Sequence, residues 1–166
     1  MEFAQPAQAA LWFLIPAVPI GIWVAFNDMA RMKIPNLAVL ALLISYAVLG
    51  LFALPLDAYL WRYAHFAVIL IIGFLANMLG AMGAGDAKFA AAMAPFVALA
   101  DASLMAYILA AATVLGFAGH RIARASSALR ARTPDWVSWT HRKFPMGLCL
   151  GTGLIAFLAL NAVYGP

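Results

Sequence analysis

Ala87-Lys88-Phe89-Ala90-Ala91-Ala92-Met93-Ala94-Pro95-Phe96-Val97-Ala98-Leu99-Ala100 is apolar but only fourteen residues long. Whether it crosses a membrane decides the fold. As a helix rising 1.5 Å per residue it reaches roughly 21 Å, short of a hydrocarbon core of about 30 Å. Around it lie longer apolar runs. Residues 9–27, 37–56, 63–82 and 104–121 each approach the length of a spanning helix, and residues 144–164 form a fifth. The chain is 67% hydrophobic and 10% charged, far from the balance of an ordinary soluble domain.

Charge placement argues that the short stretch does span. With six crossings and both termini outside, the cytoplasmic loops carry Arg31, Lys33, Lys88, Arg121, Arg124, Arg130, Arg132, Arg142 and Lys143, nine of the 10 basic residues. Only Arg62 falls outside, beside Glu2, Asp57 and Asp101. This is the positive-inside pattern on every loop. Five crossings would place the first and last basic loops on opposite faces. The expectation is a single all-α, polytopic membrane domain over residues 1–166, with six transmembrane helices and a basic cytoplasmic loop at 122–143. The net charge of +4 is thereby assigned to membrane topology, not to nucleic acid.

Smaller signals agree. The first basic residue, Arg31, follows the first apolar run, so that run reads as a retained helix and not a signal peptide. Pro35 suits a first helical position, and Pro55 closes the second helix. Pro16 and Pro19 are expected to kink the first helix. Tyr59, Trp61 and Tyr63 cluster at one interface, and Trp136 and Trp139 near the other. The basic loop is suited to anionic lipid or to a substrate.

Ionisable groups near hydrocarbon are costly, so each calls for a reason. Glu2, Asp57, Asp101 and Asp135 read as solvated. Asp28 and Asp86 both fall at cytoplasmic helix ends. Asp86 follows Gly83-Ala84-Gly85, where the absent Cβ atoms let a substrate backbone approach. An N-cap is the plain alternative. Asp28 closes its helix against the unfavourable end of the dipole, and its plain alternative is an ion pair with Arg31 or Lys33. Two carboxylates brought together share a proton. One then acts as a base on water while the other donates to a carbonyl oxygen. Cys149, the one cysteine, has no histidine near it in sequence. His120 and His141 lack metal-site spacing, and His65 reads as structural. No metal and no cofactor are expected.

Three elements in order resemble the type IV prepilin peptidase family of GxGD aspartyl proteases. Asp28-Met-Ala-Arg31-Met-Lys33-Ile34-Pro35-Asn36 is similar to the family's motif after its first helix. Gly83-Ala84-Gly85-Asp86-Ala87-Lys88 is similar to its GxGD element, and Phe144-Pro145-Met146-Gly147 to the opening of its last helix. The resemblance spans roughly residues 10–160. With no Cys-x-x-Cys pairs, the chain is most similar to the short branch serving Flp/Tad-type pili.

The resemblance implies an endopeptidase of the bacterial inner membrane that removes short leader peptides from prepilin precursors near the cytoplasmic face. It implies Asp28 and Asp86 as catalytic residues and no methyltransferase activity. Gly83, Gly85, Pro35, Asn36, Pro145 and Gly147 would support the site, with Arg31 and Lys88 as candidate substrate contacts. The expected partners are the prepilin precursor, the bilayer and the pilus assembly machinery. Three other readings stay open: a proton or ion transporter using Asp28 and Asp86, a non-enzymatic scaffold, and a GxGD protease acting on other membrane substrates.

Overall fold

A computed structural model describes residues 3–166 of the chain; the expected position of Glu2 lies outside the described residues. Among the described residues seven α-helices make up the fold: α1 (Ala7–Arg31), α2 (Asn36–Ala53), α3 (Leu56–Met78), α4 (Ala84–Met93), α5 (Ala102–Ala125), α6 (Ser127–Arg132) and α7 (Met146–Tyr164). Short 3-10 turns at Ala94–Phe96 and Leu99–Asp101 join α4 to α5, and another lies at Val137–Trp139. The protein is an all-α, polytopic membrane protein. Five segments, including α5 extended back to Leu99, are long and apolar enough to cross a bilayer. Large apolar side chains such as Phe52 and Leu79 stand exposed on their outer faces, as a lipid-facing surface requires.

α1 and α7 form the central pair. They run antiparallel, with Asp28 meeting Gly147 at one end and the Ala7 amide donating to the Pro166 carbonyl at the other. Between these ends Gly21 packs on Gly151, and a Cβ on Gly21 would come within 2.9 Å of the Gly151 carbonyl oxygen. Small residues permit that backbone approach, and close packing stands in for the hydrophobic drive that lipid does not supply. An aromatic core fills the remaining interior. Phe13 meets Phe96 edge-on at 5.1 Å, and Tyr46 stacks on Tyr59 at 5.5 Å while its hydroxyl donates to the Tyr59 carbonyl.

Helix boundaries depart from expectation in informative ways. α1 continues unbroken through Pro16 and Pro19 to Arg31. α3 begins at Leu56 and not at 63, so Tyr59 and Trp61 belong to its first turns. Pro55 caps α3, one residue after the cap of α2. Proline pre-sets the backbone angle there, and Asp57 in the first turn suits the positive end of the dipole. Pro35 is the cap of α2, and Asn36 is its first helical residue. The 122–143 segment is not a plain loop, since it holds the end of α5, all of α6 and a 3-10 turn.

α4 also departs. It starts at Ala84, three residues earlier than expected, and gives way to 3-10 turns at Ala94. It runs back along α3. Gly73 packs on Ala87 at one end, and Arg62 donates to the Pro95 carbonyl at the other. α4 and the turns after it form the floor of an apolar groove of about 630 Å³ whose walls are α3 and α5. Ala90, Ala94, Ala98, Ala102 and Ala106, every fourth residue, line it.

Two residues expected in solvent are buried. Asp101 accepts hydrogen bonds from the Ala4 and Gln5 amides at 2.8 and 3.1 Å. Arg62 donates to Gln5 Oε1 at 2.6 Å. Gln5 Nε2 donates in turn to Asn161 Oδ1, and Asn161 Nδ2 to the Gln5 carbonyl. The hydrogen bonds supply what water would have given, so the charges tolerate burial.

Candidate active site

Asp28 lies in the last turn of α1, 4% exposed. Its Oδ2 accepts a hydrogen bond of 2.7 Å from the Gly147 amide, in the first turn of α7. The contact is so close that a Cβ on Gly147 would lie 2.8 Å from the Asp28 Cβ. Asp28 thus faces the unfavourable end of its own helix dipole but the favourable end of another. Pro145 is the buried cap of α7, which brings that helix start to the carboxylate.

The chain turns sharply after Asp28. Met32 adopts a left-handed conformation at φ 53°, with its amide donating to the Asp28 carbonyl at 2.8 Å. This closes the helix without the usual glycine. The Asn27 side chain donates to the Lys33 carbonyl and fastens the turn. Ile34 then tucks inward, 5% exposed, against Gly85. A Cβ on Gly85 would come within 3.3 Å of the Ile34 Cβ. The segment after α1 and the glycine segment before Asp86 are therefore packed directly together.

Asp86 is the third residue of α4 and half-buried. Its Oδ2 folds back over Gly83, where a Cβ would sit 2.6 Å away. Gly83 is the helix cap, so this carboxylate too lies against a helix N-terminus. Asp86 is within electrostatic reach of Asp28. Two helix starts thus face the two acids, and the Asp86 charge is felt at Asp28.

Gly83, Gly85, Pro35, Pro145 and Gly147 all lie in this assembly. Arg31, Asn36 and Lys88 are exposed, and among the described residues no contact joins them to either carboxylate. Other side chains take the neighbouring positions: His141 is within electrostatic reach of Asp28, and Lys143 of Asp86. Both come from the basic segment, which must return to the site because α7 starts there. Among the described residues no group of three or more His, Cys, Asp or Glu side chains gathers as a metal site.

A bundle of apolar helices with two acids near one end defines the class as a polytopic membrane protein. A family comparison gives the narrower assignment: the type IV leader peptidase family matches residues 11–119, more than half of the chain. The chain belongs to that family, and is a membrane peptidase of prepilin leaders. The matched region contains Asp28 and Asp86 and ends before Gly147. No curated protein and no solved structure matches the chain.

Proposed function

We propose that the protein is a GxGD-type aspartyl endopeptidase that removes the leader from Flp/Tad-type prepilins at the cytoplasmic face of the bacterial inner membrane. Asp28 and Asp86 form its catalytic pair. The observation that carries this reading is the packing of the segment after Asp28 on the segment before Asp86, through Ile34 and Gly85, with each carboxylate against a helix N-terminus. The ionised member takes a proton from water as that water attacks the scissile carbonyl carbon. The protonated member donates to the carbonyl oxygen. Collapse of the tetrahedral intermediate breaks the C–N bond, and the amine leaves with the proton first taken from water. The reading assigns the reaction no metal, no cofactor and no methyl transfer.

The groove between α3 and α5 supports a membrane-borne substrate. Its lining includes Met82, immediately before the Gly83–Asp86 segment, and Ala90, one turn beyond Asp86. Its alanines at every fourth position suit close approach by another helix. His65 lines it with a buried Nε2 that has no partner, and a polar side chain on a docked helix would satisfy that nitrogen. The apolar segment of a precursor lying there would bring its leader junction to Asp86. In this reading α4 and the turns after it make the sixth crossing, with both termini outside.

Co-expression with a tagged Flp-type prepilin tests the proposal. Wild type should cleave the precursor, while Asp28→Asn and Asp86→Asn should each lose about a thousandfold or more in rate yet remain membrane-inserted. Normal cleavage by either variant would remove that aspartate from the mechanism. An intact precursor with wild type would return the transporter and scaffold readings to contention.

A further inference from the structure

The end of α5 and the chain leading into α7 enclose a small open recess of about 30 Å³ that the peptidase reading does not use. Its polar lining consists of His120, Arg121, Arg124, His141, Arg142 and Lys143, with no acid among them. Collecting like charges costs free energy unless something of opposite sign joins them. Two of the six, His141 and Lys143, also feel the active-site acids. The three guanidinium groups have no carboxylate in the recess to answer them.

The side chains are held as donors. Arg121 lies over the Phe117 ring at 5.0 Å, a cation–π contact that holds the guanidinium at the recess. The Lys143 amide donates to His141 Nδ1 at 3.1 Å, so in the neutral ring the proton sits on Nε2 and points a donor elsewhere. His120 supplies a second and independent sign. It is 6% exposed, fixed by Trp139 stacked at 5.5 Å and Phe144 edge-on at 5.6 Å. Its Nε2 is buried without a hydrogen-bond partner. A buried orphan nitrogen calls for an explanation, and a missing ligand is one.

We propose that this recess binds a phosphate-type anion, held by the Arg121, Arg124 and Arg142 guanidinium groups, with Lys143, His141 and His120 completing the shell. Guanidinium forks match phosphate oxygens in pairs. The depth is right for a headgroup. The apolar segment Leu99–Ala125 holds 27 residues, about 40 Å of helix against a hydrocarbon core of about 30 Å, so the last turns of α5 stand at the polar layer. The same chemistry would take the phosphate of an anionic phospholipid or free inorganic phosphate.

The test uses the full chain in a neutral detergent, titrated with dihexanoyl phosphatidylglycerol, dihexanoyl phosphatidylcholine and inorganic phosphate. Arg124→Gln and Arg142→Gln are compared with the double variant Arg130→Gln/Arg132→Gln, whose exposed residues on α6 lie outside the recess. Each recess variant should weaken anion binding about tenfold, the value of one charge-assisted hydrogen bond, and the double variant should not. Saturable binding of inorganic phosphate identifies a free anion as ligand. Binding of phosphatidylglycerol alone identifies a lipid headgroup. Equal losses in recess and α6 variants would reduce the effect to diffuse surface charge and overturn the site. So would the absence of saturable binding by all three probes.

Discussion

Gly147 and Gly83 stand against the two aspartates in different ways, and the difference is measurable. A Cβ on Gly147 meets the Asp28 Cβ, which is fixed to the helix backbone, whereas one on Gly83 meets only the free end of the Asp86 carboxylate. Gly147→Ala must therefore push α7 away from α1. It should lower the cleavage rate about a hundredfold, the usual penalty for a misplacement near 1 Å, and also lower the unfolding temperature. Gly83→Ala should reduce cleavage while leaving thermal unfolding unchanged. Parallel activity and melting measurements separate the two. The proposed mechanism, in which only the singly protonated pair acts, further implies a bell-shaped rate against pH, seen by assaying cleavage across the acid range. Asp28 and Asp86 were legible in the sequence because charge near hydrocarbon needs a reason. Asn27, His141 and Lys143 were not. Their relation to the pair depends on the left-handed turn at Met32 and on where α7 begins, neither of which leaves a local sequence signal.

At the scale of elements, α4 carries both Asp86 and the floor of the groove. Ala94→Trp would fill that floor without touching either aspartate. If a helix of the precursor lies there, this variant should cut prepilin cleavage by at least about tenfold, since an indole occupies the space the helix backbone needs. Unchanged cleavage with a normally folded protein would send the substrate along another path. The sequence showed that this segment is short and apolar. It did not show the change to 3-10 turns after Met93, which follows from Pro95 removing a backbone donor. The early start of α3 was hidden for a related reason. Asp57 and Arg62 look like loop residues until the partners of Arg62, Gln5 and Pro95, are known.

At the scale of the molecule, the end opposite the site is closed by Gln5, Arg62, Asp101 and Asn161, drawn from four separated parts of the chain. Asp101→Ala would leave the Gln5 amide buried and unpaired, at a cost of about 1–3 kcal/mol, and would also remove the part-buried bond from the Ala4 amide. The unfolding temperature should fall clearly. Cleavage at low temperature should persist, because α1, which starts at Ala7 beside this network, carries Asp28 about 32 Å further along its axis. Asp101 was misjudged in the sequence because its partners are backbone amides far along the chain, invisible to any local pattern.

The hydrogen bond between Asp28 and Gly147 joins residues 119 positions apart. Asp28 belongs to α1, which leaves the ribosome well before α7, the helix that carries Gly147. Throughout synthesis the growing chain holds one acid without its amide partner, and then both acids without the helix that sets them. On the proposed mechanism, hydrolytic competence is therefore acquired only once α7 has been made, and a stalled or clipped chain lacking α7 sits in the membrane as an inert fragment instead of a stray protease.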